Sequence, residues 1–305
     1  MIDVWSSSGV RLPRLLTPKD DVPLPLDEIA FLKMTRSQGF DVTVDTDRKS
    51  SLLAEMVRLN RILLQINDFN IRASEEELDP EAIISNIEHL SGQLDVWLEE
   101  LPDHIRDTRE NMARYAAQGL GRIFAAIYLG YYHYGQMLFY RFLHDDSNGF
   151  NTQARYYADK CKQHASSLCD IVYASDEEPG CDVKYNMIGH VLVISSTVQI
   201  HSLLFDSDVS NVTLAKMRLE KNFCVLTRLR DLWPTLDFCM DRLMAFHEAC
   251  RNSADTSFRM DRWMVRFLVE FASPVSDRAS RSNGENPWSL AGLGITPPDM
   301  SPICP

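Results

Sequence analysis

Two stretches of this chain, Ile123 to Tyr140 and Asn186 to Phe205, each run a helix-length without a formal charge. A helix that is apolar all round has no face to give to water, so it must be surrounded. Length alone permits a membrane span. However, the first stretch carries His133, Gln136 and repeated Tyr, and the second carries His190, Gln199, His201 and several Ser or Thr. So many hydrogen-bonding side chains are costly in lipid, and the Leu/Ile/Phe dominance of spanning helices is missing. Both stretches are therefore expected to be buried central helices of a soluble bundle, with no membrane as partner. Hydrophobic residues at 45% against 24% charged give such a bundle a sizeable core.

The rest of the pattern supplies helices to surround them. Leu52, Leu53, Met56, Leu59, Leu63 and Ile66 recur at spacings of three and four. Asp79-Pro80-Glu81 reads as an N-cap with proline in the first turn, and that helix is expected to stop near Pro102. One long helix is predicted from about Glu110 to Asp145, ending at the turn signal from Asp145 to Gly149. Further helices are predicted from Asn151 or Thr152 to about Ala174, from Asp182 to Phe205, from Ser210 to Leu232, from Thr235 to Arg251 and from Phe258 to Phe271. No alternating strand pattern persists. The expected fold is an all-α multi-helix bundle or array over 49–273. A proline-punctuated extended arm over 1–48 precedes it, and a Ser-, Gly- and Pro-rich flexible tail over 274–305 follows.

A net charge of −12 makes the chain a poor ligand for phosphate backbones, so direct nucleic-acid binding is not expected. The seven cysteines form no C-x-x-C pair and are odd in number. This usage suits the cytosol or nucleus better than a disulfide framework. The start MIDVWSSSGV lacks a basic region followed by an apolar stretch, so no signal peptide is expected. Phosphate-binding glycine loops, a G-x-S-x-G elbow, H-E-x-x-H and kinase signatures are all missing from the sequence. Asp145 and Asp146 border a turn and read as solvated, and Glu75-Glu76-Glu77 reads as a solvated face before a helix start. Catalytic residues, metal ligands and cofactors are thus expected to be none.

Two groups remain as speculative ligand-binding residues. His190 and His201 are eleven residues apart, three helical turns, so they share one helix face about 16 Å apart along the axis. A single metal ion cannot bridge that distance, but the two can point polar groups into a pocket, or simply be satisfied core histidines. Tyr131, Tyr132 and His133 lie in the dense aromatic stretch, which can line a hydrophobic pocket or pack the core.

The order of these features resembles the C-terminal part of the regulatory domain of fungal binuclear zinc-cluster transcription factors. GVRLPRLLTPKDDVPLPLDEIAF looks like that domain's proline-rich segment ending in an acidic residue and Phe. LGRIFAAIYLGYYHYGQMLFYRFL is similar to its long aromatic helix, ARYYADKCKQHASSLCDIV to the Cys- and Ala-rich helix that follows, and NMIGHVLVISSTVQIHSLLF to its central uncharged helix. RLEKNFCVLTRLRDLWPTLDFCMDRLMAFHEACR resembles the late helix pair with a Trp-Pro junction. The six-cysteine zinc cluster, linker and coiled coil that usually precede this domain are not in the sequence, which starts as if inside the domain.

The resemblance implies transcription regulation in the nucleus by a module that cannot contact DNA in the family manner. It would act through a protein coregulator or a small apolar ligand, and no catalytic residues carry over. The contrasting expectation is a helical scaffold repurposed as a secondary-metabolism enzyme or ligand-binding protein with an aromatic pocket. An adaptor working through protein contacts alone is the third.

Overall fold

The computed structural model describes residues 22–33, 51–75, 78–146 and 152–271. Twelve α-helices and one 3-10 turn occupy these residues, with no strand among them, so the chain is all-α. In chain order the helices are α1 (Glu28–Lys33), α2 (Leu52–Glu75), α3 (Pro80–Glu100), α4 (Arg109–Ala117), α5 (Gly121–Phe139) and α6 (Phe142–Asp146). Then come α7 (Thr152–Glu177), α8 (Met187–Phe205), α9 (Val209–Leu232), α10 (Asp237–Asn252), α11 (Ala254–Ser257) and α12 (Arg262–Val269).

The two uncharged stretches become α5 and α8, and both lie at the centre. α5 packs against α2, α3, α4, α7 and α8; α8 packs against α5, α7, α9 and α10. Every residue from Ile188 to Ser202 is buried. By length and composition α8 is apolar enough to cross a membrane, yet other helices cover its surface. Its hydroxyls are satisfied inside the bundle: Ser195 Oγ donates to the Ala165 carbonyl (2.9 Å), and Thr197 Oγ1 accepts from the Tyr140 hydroxyl (2.8 Å). Such pairing removes the cost of burying them.

The long helix predicted over Glu110 to Asp145 is three helices instead. The first break falls at Gly119, whose φ of 74° lies in the left-handed region that glycine enters without strain. Leu120 N donates to Tyr115 O and Gly119 N to Ala116 O, the two-bond signature of a Schellman C-cap. The second break falls at Tyr140 and Arg141, between α5 and α6. Other boundaries shift as well. α8 begins at Met187 rather than Asp182, the late pair is joined through a 3-10 turn at Pro234–Leu236, and the last predicted helix contracts to α12 behind the short α11. Pro80 opens α3 as predicted, but the Asp79 side chain makes no capping bond.

The arm carries a helix that the proline pattern concealed. α1 starts directly after Pro25-Leu26-Asp27, with Asp27 Oδ1 accepting from Ala30 N (2.8 Å). The buried Glu28 carboxylate then caps α2 in trans, accepting from Leu53 N (2.7 Å) and Leu52 N (3.3 Å). A carboxylate at these orphan N–H groups also meets the positive end of the helix dipole. The remaining expectations for the arm, and the tail over 274–305, fall outside the described residues.

Candidate functional site

α5 and α8 cross with His133 and His190 facing each other, ring centroids 5.4 Å apart and planes at 79°. Both rings are buried. α2 contributes Leu63 and Asn67 to the same chamber, and Met137 comes from the next turn of α5. The far wall is the end of α12: Leu268, Val269 and then Phe271, whose ring lies 5.1 Å from that of His190. The space between them is about 10 Å³, room for a single water molecule.

Burial governs the chemistry of this chamber. It pushes the His133 imidazolium down to about 3 and holds His190 well below the ordinary histidine value. For His190 the neighbouring His133 and Arg242 push the same way, and a hydrogen bond to the Leu268 backbone opposes them. Both imidazoles are therefore neutral at physiological pH. Nδ1 of His190 has no hydrogen-bond partner among the described residues. Neutral imidazole nitrogens accept or donate hydrogen bonds and ligate metals, but no carboxylate or thiol joins them here, and no group of three or more His, Cys, Asp or Glu poised for a metal exists among the described residues.

α12 packs on α2, and α10 ties down its C-terminal end. Arg242 is buried, and its guanidinium donates to the carbonyls of Phe267 and Glu270 (2.9 Å to the latter) at the C-terminal end of α12. A cation at that end also meets the negative pole of the helix dipole. Burial lowers the Arg242 pKa to about 10, which still leaves it charged at neutral pH.

The other expected ligand residues lie elsewhere. Tyr131 is buried between Trp97 and His164, 5.2 Å from each ring. Tyr132 is partly buried and donates from its hydroxyl to Asp107 Oδ2 (2.6 Å). His201 sits three turns beyond His190, as the spacing required, but in a separate setting: Nε2 contacts the Leu143 carbonyl (2.9 Å), with the rings of Phe205 and Phe258 at 4.8 and 4.9 Å. Of the five residues, the chain neighbours Tyr131 and Tyr132 thus touch each other and His164, while the fold joins His133 and His190 across two helices. Their meeting depends on how α5 and α8 cross, which helical periodicity does not encode.

Sequence reasoning missed a buried polar cluster joining α7, α8 and α9. Asn222 Nδ2 donates to Ser196 Oγ (3.1 Å) and to Cys169 Sγ (3.4 Å), while its Oδ1 accepts from the Tyr173 hydroxyl (2.7 Å). Cys169 Sγ also lies 3.2 Å from Ser195 Oγ, and burial raises its thiol pKa. A thiol so placed is protonated and sealed, a packing group rather than a nucleophile. The only signal in the sequence was a lone Asn on the apolar face of a helix.

A second opening, about 490 Å³, is a groove between α2 and α3. Phe69 and Leu90 form its floor, with Gln65, Asp68, Arg72 and His89 at the rim. Comparison of the chain with family models, curated proteins and solved structures returns no match.

Proposed function

We propose that this chain is a regulatory module of the kind found in fungal zinc-cluster transcription factors. It works through a protein partner or a small apolar ligand, in the nucleus, and leaves DNA contact to other polypeptide. One observation carries the reading. Four of the five segments that resemble the fungal domain fall on α5, α7, α8, α9 and α10, and each of these packs on another of the set. A net charge of −12 agrees with a module that does not hold DNA. The filled space around His133 and His190 suits a switch element better than a reaction chamber, since a substrate would first have to displace α12.

The test tethers the chain to a heterologous DNA-binding domain in yeast and measures transcription from a reporter carrying the cognate site. The expected result is a several-fold change relative to the DNA-binding domain alone, together with nuclear accumulation of the untethered chain. A folded, promoter-bound fusion that leaves transcription unchanged would refute the reading.

A further inference from the structure

The chamber between α5, α8, α2 and the end of α12 is lined by three soft donors. His133 and Met137 stand four residues apart on α5, so they share one face of that helix, and both are 2% exposed. His190 comes from α8 and is 3% exposed. Its hydrogen bond to the Leu268 backbone decides which of its nitrogens is left over. That bond favours the protonated ring, so the Leu268 carbonyl is the acceptor. Nδ1 has no hydrogen-bond partner among the described residues, so Nε2 is the donor and Nδ1 carries a bare lone pair. Metal-bound histidines are held in this way, with the nitrogen that does not ligate donating its N–H to a carbonyl or carboxylate.

The spacing suits a single ion. Two imidazoles that face one ion at metal–nitrogen distances of about 2.0–2.1 Å have their centroids about 3.2 Å from it. The 5.4 Å between the centroids of His133 and His190 then corresponds to an angle at the metal of about 115°, between tetrahedral and trigonal. The space among the lining groups, about 10 Å³, has room for one ion.

Donor chemistry selects the ion. The lining includes no carboxylate, and Asn67 adds one amide, too few oxygens for Mg²⁺ or Ca²⁺. Two imidazoles and a thioether make a soft set, and thioethers select Cu(I). Charge points the same way. Arg242 reaches the neighbouring end of α12, where the Glu270 carboxylate is paired with Arg266 (3.0 Å). Positive charge outweighs negative around a neutral donor set, so a monovalent cation is less costly there than a divalent one.

We propose that His133, Met137 and His190 form a binding site for one Cu(I) ion. The ring of His190 would then be fixed from both sides, by the ion at Nδ1 and by Leu268 at Nε2, and the end of α12 is fastened to the crossing of α5 and α8. The assignment goes beyond the transcriptional reading and does not rest on it.

The experiment titrates the full chain with Cu(I) in anaerobic ascorbate buffer, against bicinchoninate as competing chelator, after alkylation of the accessible thiols. Proton–nitrogen NMR correlation spectra of the eight histidine rings read the ligands directly. One equivalent of Cu(I) is expected to move the ring nitrogens of His133 and His190 and leave the other six rings in place. X-ray absorption should show two nitrogen neighbours and one sulfur, and amide exchange over 262–271 should slow. Met137→Leu conserves volume and should weaken binding by about tenfold or more. Met112→Leu, the same change at a buried methionine of α4, should bind within about twofold of the parent. His190→Gln should abolish the response of the His133 ring. Copper that binds without moving these two rings is held by cysteine and overturns the proposal, as does an absence of binding. Equal affinity in Met137→Leu and the parent removes the thioether and overturns the site as assigned. Zn²⁺ producing the same ring shifts at the same concentration overturns the choice of a monovalent ion. The ring shifts in the parent decide the matter even where a variant fails to fold.

Discussion

Gly130 and Gly135 lie five residues apart on α5, and replacing each by alanine should change stability in opposite directions. Both substitutions gain the same intrinsic term, about 0.5–1 kcal/mol, because alanine has less backbone freedom to lose on forming a helix. The surroundings differ. A Cβ on Gly130 would meet the Tyr134 hydroxyl at 3.4 Å and Leu59 Cδ2 at 3.5 Å, ordinary contact distances. A Cβ on Gly135 would lie 2.4–2.6 Å from three atoms of the His164 ring. That ring has nowhere to swing, since Tyr131, Tyr132 and Phe139 surround it at centroid distances of 5.2, 6.0 and 5.9 Å. α7 or α5 must therefore shift by about an ångström, and overpacking of this sort costs about 1–3 kcal/mol. Gly130→Ala should stabilise by up to about 1 kcal/mol, and Gly135→Ala should destabilise by about 1–2 kcal/mol. Urea unfolding followed by circular dichroism would measure both, with tryptophan fluorescence as the check on two-state behaviour. The sharper test is a double-mutant cycle. With His164→Ala in place the clash is gone, so adding Gly135→Ala should now stabilise. Equal stability of Gly130→Ala and Gly135→Ala in the parent, or no change of sign in the cycle, would show that α5 and α7 do not meet through His164.

Three further outcomes follow from the chamber and its supports. Arg242→Met keeps the volume but strips the Phe267 and Glu270 carbonyls of their donor, so stability should fall by about 2–4 kcal/mol. Hydrogen exchange of 262–271 should accelerate more than that of α5 or α8; uniform acceleration would show that α12 is not held separately. The buried histidines should make the fold sensitive to acid, because their native pKa values lie below that of the unfolded chain. The unfolded state therefore takes up protons first, and this stability is complete above about pH 6.5. It is lost as pH falls toward about 4 for His164 and about 3 for His133, at up to about 1.4 kcal/mol per pH unit for each ring. The urea midpoint should drop between pH 7 and 5, and the drop should shrink in His164→Gln; an unchanged slope in that variant removes His164 from the effect. Tyr140→Phe deletes the bond to Thr197 in the core and should cost about 1 kcal/mol, read from the same unfolding curve; no loss would mean that bond contributes nothing net.

Local chemistry explains why some elements are legible in the amino-acid sequence and others are not. Leu59, Leu63 and Ile66 recur on one face of α2 because the period of an α-helix is a property of the backbone, and all three are buried. Gly119 is a stop signal hidden inside a strongly helical pattern. The residues on both sides favour helix, and only the left-handed conformation at that one position ends α4. α1 is concealed for the converse reason, because four prolines upstream argue for an extended chain whereas Glu28 finds its partners in α2, more than twenty residues away. At the candidate site, His190 and His201 do share a face of α8, yet each meets different elements, and the partner of His190 proves to be His133.

The sequence by itself determined that the chain is helical through most of its length and which two helices must be central, since an uncharged, all-round apolar helix can persist in water only when other helices enclose it. It also determined that the chain carries excess negative charge and that its polar core residues need partners, without naming those partners. Tertiary structure alone decided the crossings: Gly135 against His164, Arg242 against the end of α12, Asn222 between α7 and α8, and His133 opposite His190. It decided too that Val209, Leu214 and Met217 of α9 stay exposed. Periodicity fixes the direction of a side chain around its own axis, whereas the neighbour it meets depends on packing between helices far apart in the chain, and no local pattern records that.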